Sequence, residues 1–237
     1  GVLLPAKALR AGDLPAWFEA TFPPTVRRKM ETSWSEASWQ AEQGPELDEA
    51  WRQLRSHLGS REAIDQVMAD LNAALRENRG LNRQIADTID LIAGMVASAP
   101  LDDDMTPSDR EQLATLLRAI ATWMRSPALA NPMRWREAVA ITAEAVREVG
   151  LERLSDLGRM PLPQALAKIG VFWKHLRRIT ALFGLDLDAT FDSISVQDVG
   201  KRPGDERFDV LVTFDLLGET FSFSGTVVPV DGRYYPD

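Results

Sequence analysis

PQALAKIGVFWKHLRRITALFG, residues 163–184, is the last and most apolar helix candidate of the chain. It hands directly into the one stretch with strand spacing, RFDVLVTFDLLGETFSFSGTVVPVDGRYY, residues 207–235. Within the first segment Leu166, Ile169, Gly170, Trp173, Leu176, Ile179, Thr180 and Phe183 recur at three- and four-residue spacing, the mark of one buried helical stripe. Pro163 suits the first turn, Gly184 suits a left-handed residue just past the end, and Leu185 is placed for a contact back onto the helix. The other face carries Lys168, Lys174, His175, Arg177 and Arg178, with no acid between positions 161 and 185. Such a stripe is either a solvated, locally salt-bridged face or a docking surface in which Lys174, Arg177 and Arg178 meet an anionic partner.

In the second segment Phe208, Val210, Val212, Phe214 and Leu216 alternate with Asp209, Leu211, Thr213 and Asp215, which predicts a half-buried strand. Gly218 turns the chain, Phe221, Phe223 and Val227 continue it, and Asp231-Gly232 is a tight-hairpin signal before Arg233-Tyr234-Tyr235. A first strand is expected over 190–199, with the turn over 200–205. The fold class is therefore α+β: a multi-helix array followed by a small C-terminal antiparallel sheet of three to four strands. A sheet this small needs one face covered. The expected division is a helical domain, 1–185, and a β subdomain, 186–237, packed on helix 163–183, the two forming either separate units or one integrated domain.

Upstream, Asp13 can cap a short helix with Pro15 in its first turn, Pro23-Pro24 ends it, and Pro24 opens a second helix toward Trp39. A turn is read at Gln43-Gly44-Pro45 and a helix over 46–58. Ser60 begins the next helix, with Ile64, Val67, Met68, Leu71 and Leu75 as its core stripe. Over 81–99, Ile85, Ile89, Ile92 and Val96 fall on one side; then Thr106-Pro107-Ser108-Asp109 starts a helix whose Leu113, Leu116, Leu117, Ile120, Trp123 and Met124 face the core. Asn131-Pro132 starts a helix closed by Gly150. No residue pattern recurs with a solenoid period.

The chain has 237 residues, a net charge of −8 and no cysteine. The acidic balance argues against a general nucleic-acid binder, which needs clustered Lys and Arg to neutralise phosphates. No run reaches membrane-spanning length; 81–99 comes closest but holds Arg83, Asp87 and Asp90. Without cysteine there is no disulfide framework, thiol nucleophile or thiolate metal site. Gly1 at the start is read as either a processed chain, from which a signal peptide or lipid-anchor segment has been removed, or a trimmed domain, the first being preferred.

No set of residues spells out a reaction. Asp186-Leu187-Asp188-Ala189-Thr190 matches a phosphotransferase string, yet a helix and its glycine terminator precede it where that chemistry needs a strand, so the two acids are read as turn caps. Asp102, Asp103 and Asp104 lack the further ligands and the glycine turn of a calcium loop. His57 and His175 stand in separate helices with no paired metal-ligand spacing. No metal or cofactor site is expected, and no catalytic residue. Of the seven tryptophans, Trp17, Trp34, Trp39 and Trp51 crowd into the N-terminal quarter, where they either pack a core or wall a groove for an apolar ligand or partner.

The C-terminal part, Gly184-Leu185-Asp186-Leu187-Asp188, then Leu216-Leu217-Gly218-Glu219, then Val230-Asp231-Gly232-Arg233-Tyr234-Tyr235, resembles the tail of uncharacterised bacterial envelope proteins and lipoproteins. There a strand pair leads to a closing aromatic motif likened to the nuclear-transport-factor-2-like or cystatin-like sheet. Glu219 after the turn glycine and Tyr234 in place of tryptophan depart from that pattern. The opening Leu9-Arg10-Ala11-Gly12-Asp13-Leu14 with Pro23-Pro24 also resembles such proteins. The resemblance implies a periplasmic or envelope location and carries over no functional residue. Taken together, the expectation is a non-enzymatic periplasmic or lipid-anchored binding module for a protein or a small apolar ligand. Its contacts would lie at the sheet edge or the tryptophan-rich quarter. The alternatives are a receptor or enzyme using a pocket between the sheet and helix 163–183, and a cytoplasmic adaptor.

Overall fold

A missing side chain sets the central crossing of the fold. In the computed structural model, which describes residues 3–36, 39–78, 80–98, 106–201 and 206–236 (for 39–44 the backbone alone), a Cβ added at Gly170 would lie 2.4 Å from the carbonyl oxygen of Gly12. Gly12 sits between α1 (Leu4–Ala11) and α2 (Leu14–Thr21), and Gly170 inside α9 (Leu162–Leu182). Only glycine at 170 lets the α1–α2 corner lie backbone to backbone on α9.

That corner is built from local rules. Gly12 is left-handed (φ +71°), its N–H bonds to the Leu9 carbonyl at 3.0 Å, and the Asp13 N–H bonds to the Ala8 carbonyl at 2.9 Å. This double bond is the glycine-terminated helix end. The Asp13 carboxylate then accepts from the Ala16 N–H and starts α2, as the sequence predicts. Helix α1 itself is not anticipated by the sequence reading, which begins at position 13. α9 ends the same way: Gly184 has φ +87°, and Gly184 and Leu185 N–H groups bond the Ala181 and Thr180 carbonyls, each at 3.0 Å. Its expected stripe is only partly inward, because α8 (Pro132–Val149), α2, α3 (Pro24–Glu36) and α10 (Leu187–Ser193) surround it; Leu176 is exposed while His175 and Arg177 are buried.

The remaining helices are α4 (Trp39–His57), α5 (Arg61–Glu77), α6 (Leu81–Ser98) and α7 (Pro107–Met124), with 3-10 turns at Pro127–Ala130 and Leu154–Arg159. The turn expected at 43–45 is absent, since Pro45 stands inside α4. A proline removes one backbone bond and leaves the next turns helical, and those turns are fastened downstream: Trp51 is buried, and Asp48 accepts from the Ser155 N–H at 2.8 Å and its hydroxyl at 2.7 Å. Thr106 and Asp109 form the expected capping box of α7. The α6–α7 hairpin corrects the sequence reading. Ala86, Ala93, Ala114 and Ala121 are buried, whereas Ile85, Ile92 and Leu113 are exposed. Alanines permit close approach of the two helices and turn the larger residues to the flank.

Strands β1 (Ser195–Lys201), β2 (Phe208–Leu216), β3 (Glu219–Val230) and β4 (Arg233–Pro236) form an antiparallel meander in chain order, so the α+β architecture holds. Residues 187–193, partly assigned to a strand by the sequence reading, are helix α10. Asp186 caps the Ala189 N–H at 3.0 Å, and Phe191 meets the Trp173 ring edge-on at 6.3 Å. The β2–β3 and β3–β4 hairpins each turn on two residues of positive φ, Leu217-Gly218 and Asp231-Gly232. The sheet packs chiefly against α10, α7 and α2, while the principal partners of α9 are α8 and α2. Helix 163–183 is therefore not the sheet's main cover, because α10 follows Gly184 and comes between them in the chain. Asp102, Asp103 and Asp104 lie outside the described residues.

Two glycine substitutions separate close approach from mere helix propensity. Gly170→Ala drives a methyl into the Gly12 carbonyl and is expected to cost about 1–3 kcal/mol. Gly94→Ala, in α6 with nothing within 4 Å of an added Cβ, is expected to stabilise by about 0.5–1 kcal/mol. Urea unfolding followed by circular dichroism checks both.

Candidate functional site

Five of the seven tryptophans donate to backbone carbonyls of other elements, mostly at or near helix ends. Trp173 Nε1–H donates to the Leu9 carbonyl at 2.7 Å, Trp51 to Leu151 at 3.0 Å, Trp34 to Met160 at 3.0 Å, Trp123 to Phe183 at 2.8 Å and Trp135 to Leu129 at 2.8 Å. Leu9 lies in the last turn of α1, where its carbonyl also accepts from Gly12, and Phe183 just past α9; Leu151 stands two residues beyond α8, Met160 follows one 3-10 turn and Leu129 belongs to the other. Of the four residues expected to wall a groove, Trp51 is core, ring-edge to Phe172 at 5.7 Å. Trp17 is half-buried beside Phe22, and Trp34 lines an open cleft with Glu31 and Pro161. The side chain of Trp39 lies outside the described residues. Trp17, Trp34 and Trp51 thus serve separate contacts.

The basic stripe of α9 is engaged internally. Lys168 Nζ donates to the Val149 carbonyl at 2.6 Å, closing α8, and the stem of Lys174 covers Gly12. Arg178 pairs with Glu144 at 2.9 Å and donates to His175 Nδ1 at 3.2 Å, while His175 Nε2 lies 2.8 Å from Glu148 Oε2. A guanidinium only donates, so Nδ1 accepts and Nε2 carries the proton directed at Glu148. Buried Arg177 pairs with Asp188 of α10. Glu144 and Glu148, one turn apart on α8, face His175 and Arg178, one turn apart on α9: the charges that the local sequence lacks arrive from the neighbouring helix. Asp186 and Asp188 are thereby both used structurally, the first as a cap and the second as a partner of Arg177.

Two clefts flank the sheet. One, of about 520 Å³, lies between α7, the end of α9, α10 and the β2–β3 turn; Trp123, Phe183, Asp186, Thr190, Asp215 and Leu217 contribute to it. Its acids are occupied, since Asp186 caps α10 and Asp215 accepts from the Thr220 hydroxyl at 2.6 Å. The other, of about 460 Å³, lies between the start of α1 and the apolar face of the sheet. Leu3 and Leu4 form one wall; Val196, Phe208, Val210, Val227 and Tyr234 form the other, and Lys7 and Asp198 add one charge of each sign. Strand register builds the second wall: Asp198 pairs with Val210 and Phe208 with Val227, so these side chains share a face. Phe208 and Tyr234 meet edge to face at 5.3 Å. The size and the apolar lining are those of a small-ligand cleft.

The sequence signal for this site was the alternation at 208–216, read correctly as a half-buried strand. The missing part was α1, which supplies the facing wall. Among the described residues no group of three or more His, Asp or Glu side chains is placed to hold a metal ion, and no helix is long and apolar enough to cross a membrane. No protein-family model, curated protein or solved structure matches the chain.

The Asp48–Ser155 contact has a pH signature. The two hydrogen bonds from Ser155 hold the Asp48 carboxyl below its ordinary value of 3.8. A depressed acid contributes stability that is complete above its unfolded pKa and is lost as pH falls through the folded one. Ser155→Ala should lower the urea midpoint by a constant amount above about pH 5, and the gap to the parent should narrow below about pH 4. A gap independent of pH would remove the ionic role of Asp48.

Proposed function

We propose that the chain is a non-enzymatic binding module of the bacterial cell envelope whose ligand seat is the cleft between α1 and the sheet. The observation that carries the ligand assignment is the composition of that cleft: two opposed apolar walls from Leu3, Leu4, Val196, Phe208, Val210 and Val227, with a single Lys7 and a single Asp198. Balanced charges select no strongly ionic ligand, and the walls favour a small apolar body. Catalysis needs convergent acids, bases or nucleophiles aimed at a reacting atom, and the groups of that kind lining this cleft are Lys7, Asp198 and the Tyr234 phenol among apolar side chains. The envelope assignment rests on the tail from Gly184 to Tyr235 and its resemblance to envelope proteins.

The ligand part is tested with a neutral fluorescent probe, N-phenyl-1-naphthylamine. The parent is expected to enhance its fluorescence saturably, and Phe208→Ala to weaken binding about tenfold, near 1.4 kcal/mol. Trp34→Phe should leave it unchanged, since Trp34 lines a different cleft. Equal binding by the parent and Phe208→Ala would remove the cleft as the seat. The envelope part is tested by expressing the full-length gene, fractionating the cells and taking the intact mass of the mature N-terminus. A cleaved or lipidated terminus in the envelope fraction is expected; an uncleaved one in the cytosol would overturn that assignment and favour the cytoplasmic adaptor.

A further inference from the structure

Of the two histidines, His57 is exposed on α4, whereas His175 is buried in the seam between α8 and α9, its side chain 5% exposed. Three charged side chains meet its ring. Glu148 Oε2 lies 2.8 Å from Nε2, and the Arg178 guanidinium donates to Nδ1 at 3.2 Å. Glu144 Oε2 stands 4.0 Å off Nδ1 and is held instead by Arg178 at 2.9 Å. Each of the three is about half exposed, so they are free to move where the ring is not. Other charges around α9 are spent elsewhere. Arg177 pairs with Asp188 of α10, Asp192 of α10 with Arg10, and Asp156 of the 3-10 turn with Arg153 and Arg159. The stem of Lys174 lies over Gly12. Among the described residues, Arg147 of α8, Glu19 of α2 and Arg27, Arg28, Lys29 and Glu31 of α3 form no hydrogen bond or ion pair with the ring.

We infer that His175 is a proton-operated switch in which a proton arriving on Nδ1 evicts Arg178 and draws Glu144 onto the ring. The single lone pair of Nδ1 accepts one hydrogen. While the ring is neutral, that hydrogen belongs to Arg178. Once the ring takes a second proton from solvent, Nδ1 becomes a donor, and two cations face each other across the 3.2 Å contact. Burial fixes the imidazole, and Glu148 accepts from Nε2–H in either state, so the guanidinium is the group that yields. Glu144 is the carboxylate placed to accept the new N–H. The α8–α9 seam thus keeps a paired histidine and sheds Arg178 to water. Histidine is the side chain whose ordinary ionisation falls between about pH 5 and 8, so the signal is a change from neutral to mildly acidic surroundings. Arg178 belongs to the basic stripe of α9; the switch withholds it at neutral pH and presents it in acid.

With two histidines in the chain, nuclear magnetic resonance of the ring nitrogens from about pH 8 to about pH 5 reads the switch, and exposed His57 is the internal reference. At the upper end His175 is expected to carry its proton on Nε2 and to leave Nδ1 bare. As the second proton arrives, the Arg178 Nε–H resonance should shift in the same step and exchange faster with water. Arg178→Met keeps the stem but removes the charge and the donors; it should move the His175 titration to higher pH by about half a unit to one unit. Glu148→Gln should move it the opposite way, with His57 unmoved in both variants and the circular dichroism spectrum of the parent retained. Loss of packing alone would not give opposite signs. A bare Nε2 at the upper end, a ring that stays neutral until the chain unfolds, or a ring still doubly protonated at about pH 8 overturns the inference. So does an Arg178 resonance indifferent to the His175 step, or an Arg178→Met titration at or below that of the parent.

Discussion

The last turn of every helix leaves carbonyls that its own backbone cannot satisfy, and this fold meets them with side chains from other elements. Indoles close α1 at Leu9, the 3-10 turn at Met160 and the end of α9 at Phe183, and another reaches Leu151 just past α8. Cationic groups do the same work at Val149 through Lys168 and at Leu182 through Arg134. A buried carbonyl without a partner costs about 1–3 kcal/mol, a large share of a domain's net stability of about 5–15 kcal/mol. Five of the seven tryptophans and several basic residues are thus committed before any ligand is considered.

That commitment redirects the search for a site. The tryptophan-rich quarter and the basic stripe of α9 are the two most conspicuous features of the chain, and much of each is engaged within the fold: Trp51 in the core, His175 and Arg178 on Glu148 and Glu144, Arg177 on Asp188. What remains outward is modest in chemistry. Among the described residues it includes an apolar cleft under α1, a polar cleft whose acids are occupied, the open cleft beside Trp34 and the exposed apolar residues of α6. The proposed ligand seat is the first of these.

The sequence was most legible where a local rule decides the outcome. Ser60, Thr106, Asn131 and Asp13 cap the helices they were expected to cap, and Gly150 and Gly184 end theirs in the left-handed region. The strand alternation at 208–216 and the turn at Asp231-Gly232 are present as read. Legibility failed where distant partners decide. Residues 187–193 have strand-like neighbours in sequence, but the Asp186 cap and the Phe191–Trp173 contact make a helix. Periodicity picked out the Ile85, Ile89, Ile92 and Val96 side of α6, whereas Ala86 and Ala93 are the residues buried against α7, since alanine packing wins through close approach rather than through hydrophobicity. The candidate cleft was half visible: its strand wall could be read, whereas its α1 wall depends on a glycine crossing that joins positions 12 and 170.

The measurement that tests this account most directly is deuterium exchange of the indole Nε1–H resonances, followed by nuclear magnetic resonance with and without the apolar probe. If indoles hold the helix ends and the ligand seat lies elsewhere, the resonances of Trp34, Trp51, Trp123, Trp135 and Trp173 exchange slowly and stay in place as the probe binds. Rapid exchange of those five, or their displacement on titration, would contradict it and return the tryptophans to the ligand.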